Sequence, residues 1–263
     1  MVRAGGADHV TSELRVEEFD GVVTVSIDRP NRRNALSRSA LRDLAEVLGG
    51  DVTRGASGVI LTGTAGHFSA GADFADLTGT VEDVGFDDDV AAAVTAIQHC
   101  PRPVVAALHG ACLGAGADLA LACNVRIADS TTYLQVPATR LGILYNPSAV
   151  LRMRRSLPAD TVARLFLLGE RFDADSAQSA GLVSVVVAAG TAVEQAQAML
   201  APLSIGGRDA TAATKALLAD PDAGHRAEHW EAVRRELLGS DARRRAVEQA
   251  HARHTTHEGQ GTE

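Results

Sequence analysis

Two short stretches carry the residue types from which a catalytic anion site can be built. One is Ser69-Ala70-Gly71-Ala72-Asp73. The other is His109-Gly110-Ala111-Cys112-Leu113-Gly114-Ala115-Gly116. Gly and Ala leave backbone N–H groups unobstructed, and a helix N-terminus adds the positive end of a dipole. Two such N–H groups aimed at one point form an oxyanion hole. The same residues equally suit two tight turns that need small side chains for packing, and turn chemistry alone leaves both readings open. Neither stretch is a G-x-G-x-x-G or P-loop motif, so nucleotide phosphate binding is not supported. His67 and His109 flank the turns and read as local hydrogen-bonding groups. His251, His254 and His257 lie in a polar tail, which reads as a loose chain end rather than a metal cluster. Cys100, Cys112 and Cys123 match no zinc or redox spacing and read as small, buried, reduced side chains. Neither a metal nor a separate cofactor is expected.

Both turns follow strands. Val22 to Asp28 is β-branched and bounded by Gly21 and Pro30; Gly58 to Gly63 and Val104 to Leu108 are buried-type strands, and Val125 to Ala128 is a fourth. Ser37 caps an apolar-periodic helix through Leu41, Leu44 and Leu48, stopped by Gly49-Gly50. Residues 79–89 read as an exposed acidic loop, and Val90 to His99 as a helix. Asp118 to Cys123 is a further helix. Residues 158–169 and 173–180 read as helices, Leu182 to Val187 as a strand, and everything periodic after Thr191 as helical. Arg152, Arg154, Arg155 and Arg164 read as a basic cluster on a solvated helix face. Strands separated by helices indicate an α/β core with a helical C-terminal region.

The composition agrees with a globular protein. Its 263 residues are 46% hydrophobic and 22% charged, enough for one large core. The formal charge of −8 and pI of about 5.6 argue against a broadly cationic nucleic-acid surface. Aromatics at 3% leave little for base stacking. No run approaches the ~20 apolar residues of a membrane span. The residues before Asp8 hold no apolar stretch, and the expectation is a cytoplasmic protein without a membrane partner.

Taken in order, several segments resemble the crotonase superfamily, the enoyl-CoA hydratase/isomerase group. They are Asp28-Arg29-Pro30 with Asn34-Ala35-Leu36, Phe68 to Asp73, Pro101 to Ala107, Gly110 to Asp118, Leu141-Gly142-Ile143 and Ala180 to Val183. Together they cover about residues 14–187. The resemblance implies a spiral of ββα units (residues 1–198) followed by a helical trimerisation region with a polar tail (199–263). It implies an acyl-CoA ligand, the CoA arriving as part of the substrate. The thioester oxygen would accept hydrogen bonds from the N–H groups of Ala72 and Ala115. Arg32 and Arg33, with Ala70 and Asp73, would border the adenine. Lys215 stands where a lysine reaches the neighbouring subunit's CoA, in a homotrimer or dimer of trimers. A lysine common two residues after the first turn's Asp is Ala75 here.

The acid–base positions depart from the family pattern. Of the two glutamates of a hydratase, one corresponds to Asp118, a turn beyond Ala115 on the same helix face. The other corresponds to Ala138, which cannot transfer a proton. Gly142-Ile143-Leu144-Tyr145-Asn146 is similar to the methylmalonyl-CoA decarboxylase branch, where a Tyr occupies this place. A phenol of pKa ~10 is neutral at pH 7 and can orient a substrate carboxylate. Three functions follow: a hydratase- or isomerase-like enzyme with Asp118 as sole carboxylate, a decarboxylase-like lyase using Tyr145, or a non-catalytic acyl-CoA binder. The first leads.

Overall fold

The computed structural model describes residues 9–10, 13–203, 207–220 and 222–258, with side chains for 13–203, 207–220 and 222–251. The expected loose start at residues 1–12 and the polar tail beyond His251 lie largely outside the described side chains.

Short β1 (His9–Val10) pairs antiparallel with β2 (Leu14–Phe19), and β2 with β3 (Val22–Ile27). Leu14 and Val16 face inward along β2 while Arg15 and Glu17 face solvent, the period-2 alternation of a half-covered antiparallel strand. The chain then forms α1 (Arg38–Gly49) and α2 (Asp51–Gly55). Ser37 caps α1 by accepting from the Ala40 N–H at 3.0 Å. Ala40, Leu41, Leu44 and Leu48 form its buried stripe.

Strand β4 (Gly58–Gly63) lies parallel to β3 and is buried at every position, as expected of a strand covered on both faces. Helix α3 (Val84–His99) starts six residues before the sequence reading places it, inside the supposed acidic loop. Acidic residues in a first turn favour a helix through its dipole, and Phe86, buried, anchors this one. Strand β5 (Val104–Leu108) joins β4 in parallel. Next come β6 (Ala111–Leu113), α4 (Ala115–Ala122), β7 (Val125–Asp129) and β8 (Tyr133–Gln135). They are followed by α5 (Pro147–Ser156), α6 (Ala159–Val162), β9 (Phe172–Asp173), α7 (Ala174–Ser179), β10 (Val185–Val187) and α8 (Ala192–Leu200). Residues 163–167 continue α6 as a π-helical turn.

A seven-stranded mixed sheet runs β1-β2-β3-β4-β5-β7-β10, and a small sheet runs β6-β8-β9. Strands β3 through β10 of the large sheet are parallel. One continuous apolar core, from Leu14 to Val183, fills the space between sheets and helices.

The chain divides into two compact units, Met1–Pro202 and Leu203–Glu263. The second holds α9 (Arg208–Ala219), α10 (Ala227–Leu238) and α11 (Asp241–Glu258). A cleft of about 730 Å³ in this unit is lined by apolar side chains that include Ala213, Leu217, Trp230, Val233 and Leu237. Among the described residues no helix is long and apolar enough to cross a membrane.

Candidate active site

The two glycine-rich turns lie side by side. Ser69 and Cys112 form an isolated parallel bridge: the Ser69 N–H donates to the Ala111 carbonyl at 2.9 Å, and the Leu113 N–H to the Ser69 carbonyl at 3.0 Å. Ala72 and Ala115 each stand three residues beyond that shared rung. Each also follows a glycine of positive φ, Gly71 at 93° and Gly114 at 50°. A Cβ on Gly71 would lie 2.9 Å from the Leu113 carbonyl oxygen, and one on Gly116 2.7 Å from the Ser69 Cβ, so the backbones meet only as glycines. A second bridge, Leu36 with Ala72, uses the Gly71 carbonyl and the Asp73 N–H and passes over the Ala72 N–H. Ala115 opens α4, where a first-turn N–H has no intrahelical acceptor. Neither N–H donates to another protein group among the described residues.

One turn into α4, Asp118 is 2% exposed. Tyr145 donates its hydroxyl proton to Asp118 Oδ2 at 3.2 Å, and Arg152 Nη2 ion-pairs with Oδ1. Burial holds the Asp118 carboxyl above the ordinary carboxylate range, against the opposing pull of Arg152 and Tyr145. Burial likewise raises the Tyr145 phenol well above its usual value, and the Asp118 charge adds to this. Tyr145 packs on Phe166 with ring centroids 5.2 Å apart. Burial, with the charges of Asp88, Asp83 and Asp118, raises the Asp87 carboxyl on the first turn of α3, and the Asp87 charge in turn adds to the raising of the Tyr145 phenol.

Arg152 corrects the sequence reading. Asn146 caps α5 through the Ser148 N–H at 3.0 Å, and Pro147 opens it. From that start Ala149 and Met153 face the core, and Arg152 shares their side. Arg154 and Arg155 are exposed, and Arg164 pairs with Glu170 at 2.6 Å, so the four arginines form no single cluster. The signal was present in helical spacing, since residue 152 lies three beyond Ala149 whereas 154 and 155 turn away. The Arg152 Nε is buried without a hydrogen-bond partner among the described residues.

Ala138 is buried in a short 3-10 turn, Ala138–Leu141. Arg32 and Arg33 are exposed, and the Ala70 N–H donates to the Arg33 carbonyl at 3.0 Å, so these three are brought together. Arg33 and Asn34 both adopt positive φ, 50° and 57°. The Asn34 side chain holds that conformation, accepting from the Arg29 N–H and donating to the carbonyls of Thr64 and His67. Asp73 is buried; its carboxylate accepts from Arg29 Nη2 at 2.8 Å and from the Ala75 N–H at 3.1 Å. Lys215 lies on α9 in the second unit, with its side chain buried. The His67 Nδ1 accepts from the Ala111 N–H, the local role the sequence suggested.

Two unengaged N–H groups on adjacent turns, with an enclosed carboxylate one helical turn further on, are an arrangement that can serve chemistry on a carbonyl taking up negative charge. The family model described as enoyl-CoA hydratase/isomerase matches residues 17–253. The chain therefore belongs to the enoyl-CoA hydratase/isomerase family. It is 33% identical over 186 residues to the 2,3-dehydroadipyl-CoA hydratase of Escherichia coli K12, covering 70% of this chain and 73% of that protein. It is 29% identical over 222 residues to a peroxisomal Delta(3,5)-Delta(2,4)-dienoyl-CoA isomerase of Arabidopsis thaliana, covering 78% and 80%. The enoyl-CoA hydratase structure from Bacillus anthracis superposes with a TM-score of 0.84 at 26% identity, over 92% of this chain and 96% of that one. These likenesses establish the α/β spiral with C-terminal helices.

Proposed function

We propose that this protein shifts double bonds in acyl-CoA thioesters, with Asp118 as the proton-transferring carboxylate. The observation that carries this reading is the enclosed carboxylate of Asp118, one helical turn beyond the unengaged N–H of Ala115; the family resemblance puts Ala138 at the position of a second carboxylate. An isomerisation needs one base that removes a proton from the carbon next to the thioester and returns it two carbons further on. The C–H electron pair moves into the carbonyl, and the resulting dienolate oxygen accepts from the Ala72 and Ala115 N–H groups. Such donors are worth roughly 3–4 kcal/mol each. The proton rests on Asp118 in the interval, so no water is consumed. Hydration normally divides water activation and carbon protonation between two carboxylates, so it should run slowly here.

Tyr145 supports this reading over decarboxylation. A decarboxylase needs its hydroxyl proton for the substrate carboxylate, whereas here that proton goes to Asp118. The exposed guanidinium groups of Arg32 and Arg33, beside Ala70, suit the anionic CoA moiety; the Asp73 side chain, engaged by Arg29, suits the frame of the turn. Lys215 is retained as a proposed CoA contact across subunits, in a homotrimer or dimer of trimers.

The test offers a 3-enoyl-CoA and crotonyl-CoA to the wild type and to Asp118→Asn. We expect the conjugated 2-enoyl product from the first substrate, only slow hydration of the second, and a loss of roughly 10²–10⁴-fold in Asp118→Asn. Hydration outpacing isomerisation, or an unimpaired Asp118→Asn, would defeat the reading.

A further inference from the structure

Arg152 meets Asp118 with one arm only. Its Nη2 ion-pairs with Oδ1. Among the described residues no acceptor meets its Nε or its Nη1, and of these the Nε is buried while Nη1 is not enclosed. The side chain keeps 21% of its surface open, so a ligand group can reach it. Other enclosed arginines are used more fully. Arg29 gives all three nitrogens to Glu13, Ala35 and Asp73, and Arg126 gives Nε and Nη1 to the carbonyls of Leu182 and Cys123. The Asn146 cap, Pro147 and the buried Ala149 and Met153 fix the helix that delivers Arg152. The fold thus holds in place a guanidinium with most of its N–H donors unspent. A buried N–H without an acceptor is costly, and it calls for a partner.

The position of Arg152 decides which part of a substrate it meets. A base that takes a proton from the second acyl carbon and returns it to the fourth must reach both. The guanidinium bonded to that base therefore borders the same stretch of the acyl chain. Its charge decides what it would meet there. A guanidinium stays protonated in proteins. When Asp118 takes up a proton, Arg152 is left inside the fold without its counter-ion. A carboxylate on the acyl chain replaces that counter-ion. Its two planar oxygens match the guanidinium fork, which a hydroxyl or a methyl does not.

We infer that Arg152 selects acyl-CoA substrates bearing a second carboxylate on the fourth acyl carbon, and that it holds this carboxylate through the donors Asp118 leaves free. The inference rests on the reading of Asp118 as the proton-transferring group, which fixes the part of the substrate lying beside Arg152. The added carboxylate makes and breaks no covalent bond. The C–H bond at the second carbon breaks, its electron pair enters the dienolate, and the proton passes to Asp118. A C–H bond then forms at the fourth carbon with that proton. Throughout, one guanidinium joins the protein's carboxylate to the substrate's own. Arg152 is thus a specificity-determining residue.

Two measurements on the full chain test this. The first needs no turnover. Calorimetry compares glutaryl-CoA with pentanoyl-CoA, saturated thioesters that differ only in a terminal carboxylate against a methyl. The wild type should bind glutaryl-CoA on the order of tenfold more tightly. Arg152→Met should lose that preference, and Arg152→Lys, which keeps the charge but not the fork, should retain part of it. Arg155→Met removes an exposed charge from the same helix and should retain all of it. The second measurement follows the double bond by proton NMR in 4-carboxy-3-butenoyl-CoA and 3-pentenoyl-CoA. The wild-type kcat/KM should favour the carboxylate substrate by roughly 10²-fold, and Arg152→Met should close the gap. A wild type that binds the two saturated thioesters alike, or favours pentanoyl-CoA, would overturn the inference whether or not any variant folds. Equal losses of preference in Arg152→Met and Arg155→Met would also overturn it, as an effect of net charge alone. A wild type that prefers glutaryl-CoA through Arg152 yet moves the double bond in neither 3-enoyl substrate would overturn the Asp118 reading and leave the carboxylate site standing.

Discussion

Asp118 lies between a guanidinium and a phenol, and each donor stabilises its ionised form while burial opposes it. A base must be ionised to act, so kcat/KM should rise with pH through the carboxyl's raised value, which places the acid limb above the ordinary aspartate range. Arg152→Met removes the attracting cation and should move that limb to still higher pH. Tyr145→Phe removes one donor and should move it in the same direction by less. A limb that stays fixed or moves downward in Arg152→Met would contradict the assigned pairing. Asp118 was singled out in the sequence through the family resemblance, which puts a hydratase glutamate at this place one helical turn beyond Ala115, and the structure shows it buried there. Its partners were not legible in the sequence. They come from a loop and a helix well over twenty residues away, and pairs brought together by tertiary packing leave no local pattern.

At the scale of the elements, the first turn is held from behind by Arg29, which reaches both Glu13 at 2.7 Å and Asp73 at 2.8 Å. The Ala75 N–H and, against burial, Arg29 hold the Asp73 carboxyl below its usual range. Burial would raise Glu13, but Ser37, Ser39 and Arg29 together carry it below. A depressed folded-state value stabilises the fold fully above the unfolded-state pKa, and that stability is lost as pH falls through the folded value. Urea unfolding should therefore show stability declining from neutral to acid pH, with a shallower decline in Arg29→Met. The contact between turns gives a separate expectation. Gly116→Ala places a methyl against Ser69, so turnover should fall by roughly 10²-fold with a smaller change in KM. Steady-state kinetics decide it, and a near-normal kcat would show that the turns tolerate separation. Strands β3, β4, β5 and β7 were legible because each is a β-branched or apolar run. Strands β6, β8 and β9 span only two or three residues, too short for any period to show. The start of α3 was hidden because its acidic first turn has the composition of a solvated loop.

For the whole molecule, the apolar cleft of α9, α10 and α11 and the family resemblance together favour a homotrimer or a dimer of trimers. Sedimentation at micromolar concentration should show that mass, and a monomer alone would refute it. The bridge between Ser69 and Cys112 bears on how such a protein can change its chemistry. Both donors hang from one rung at the same offset, like the two jaws of a caliper on a common pivot. Their gap is set by sheet geometry, whereas the carboxylates, phenol and guanidinium arrive on separate helices and loops. Replacing the acid–base groups therefore leaves the jaws at their setting. On the proposed reading Ala138 would illustrate this freedom: a proton-transfer position emptied while the gauge for a thioester oxygen keeps its setting.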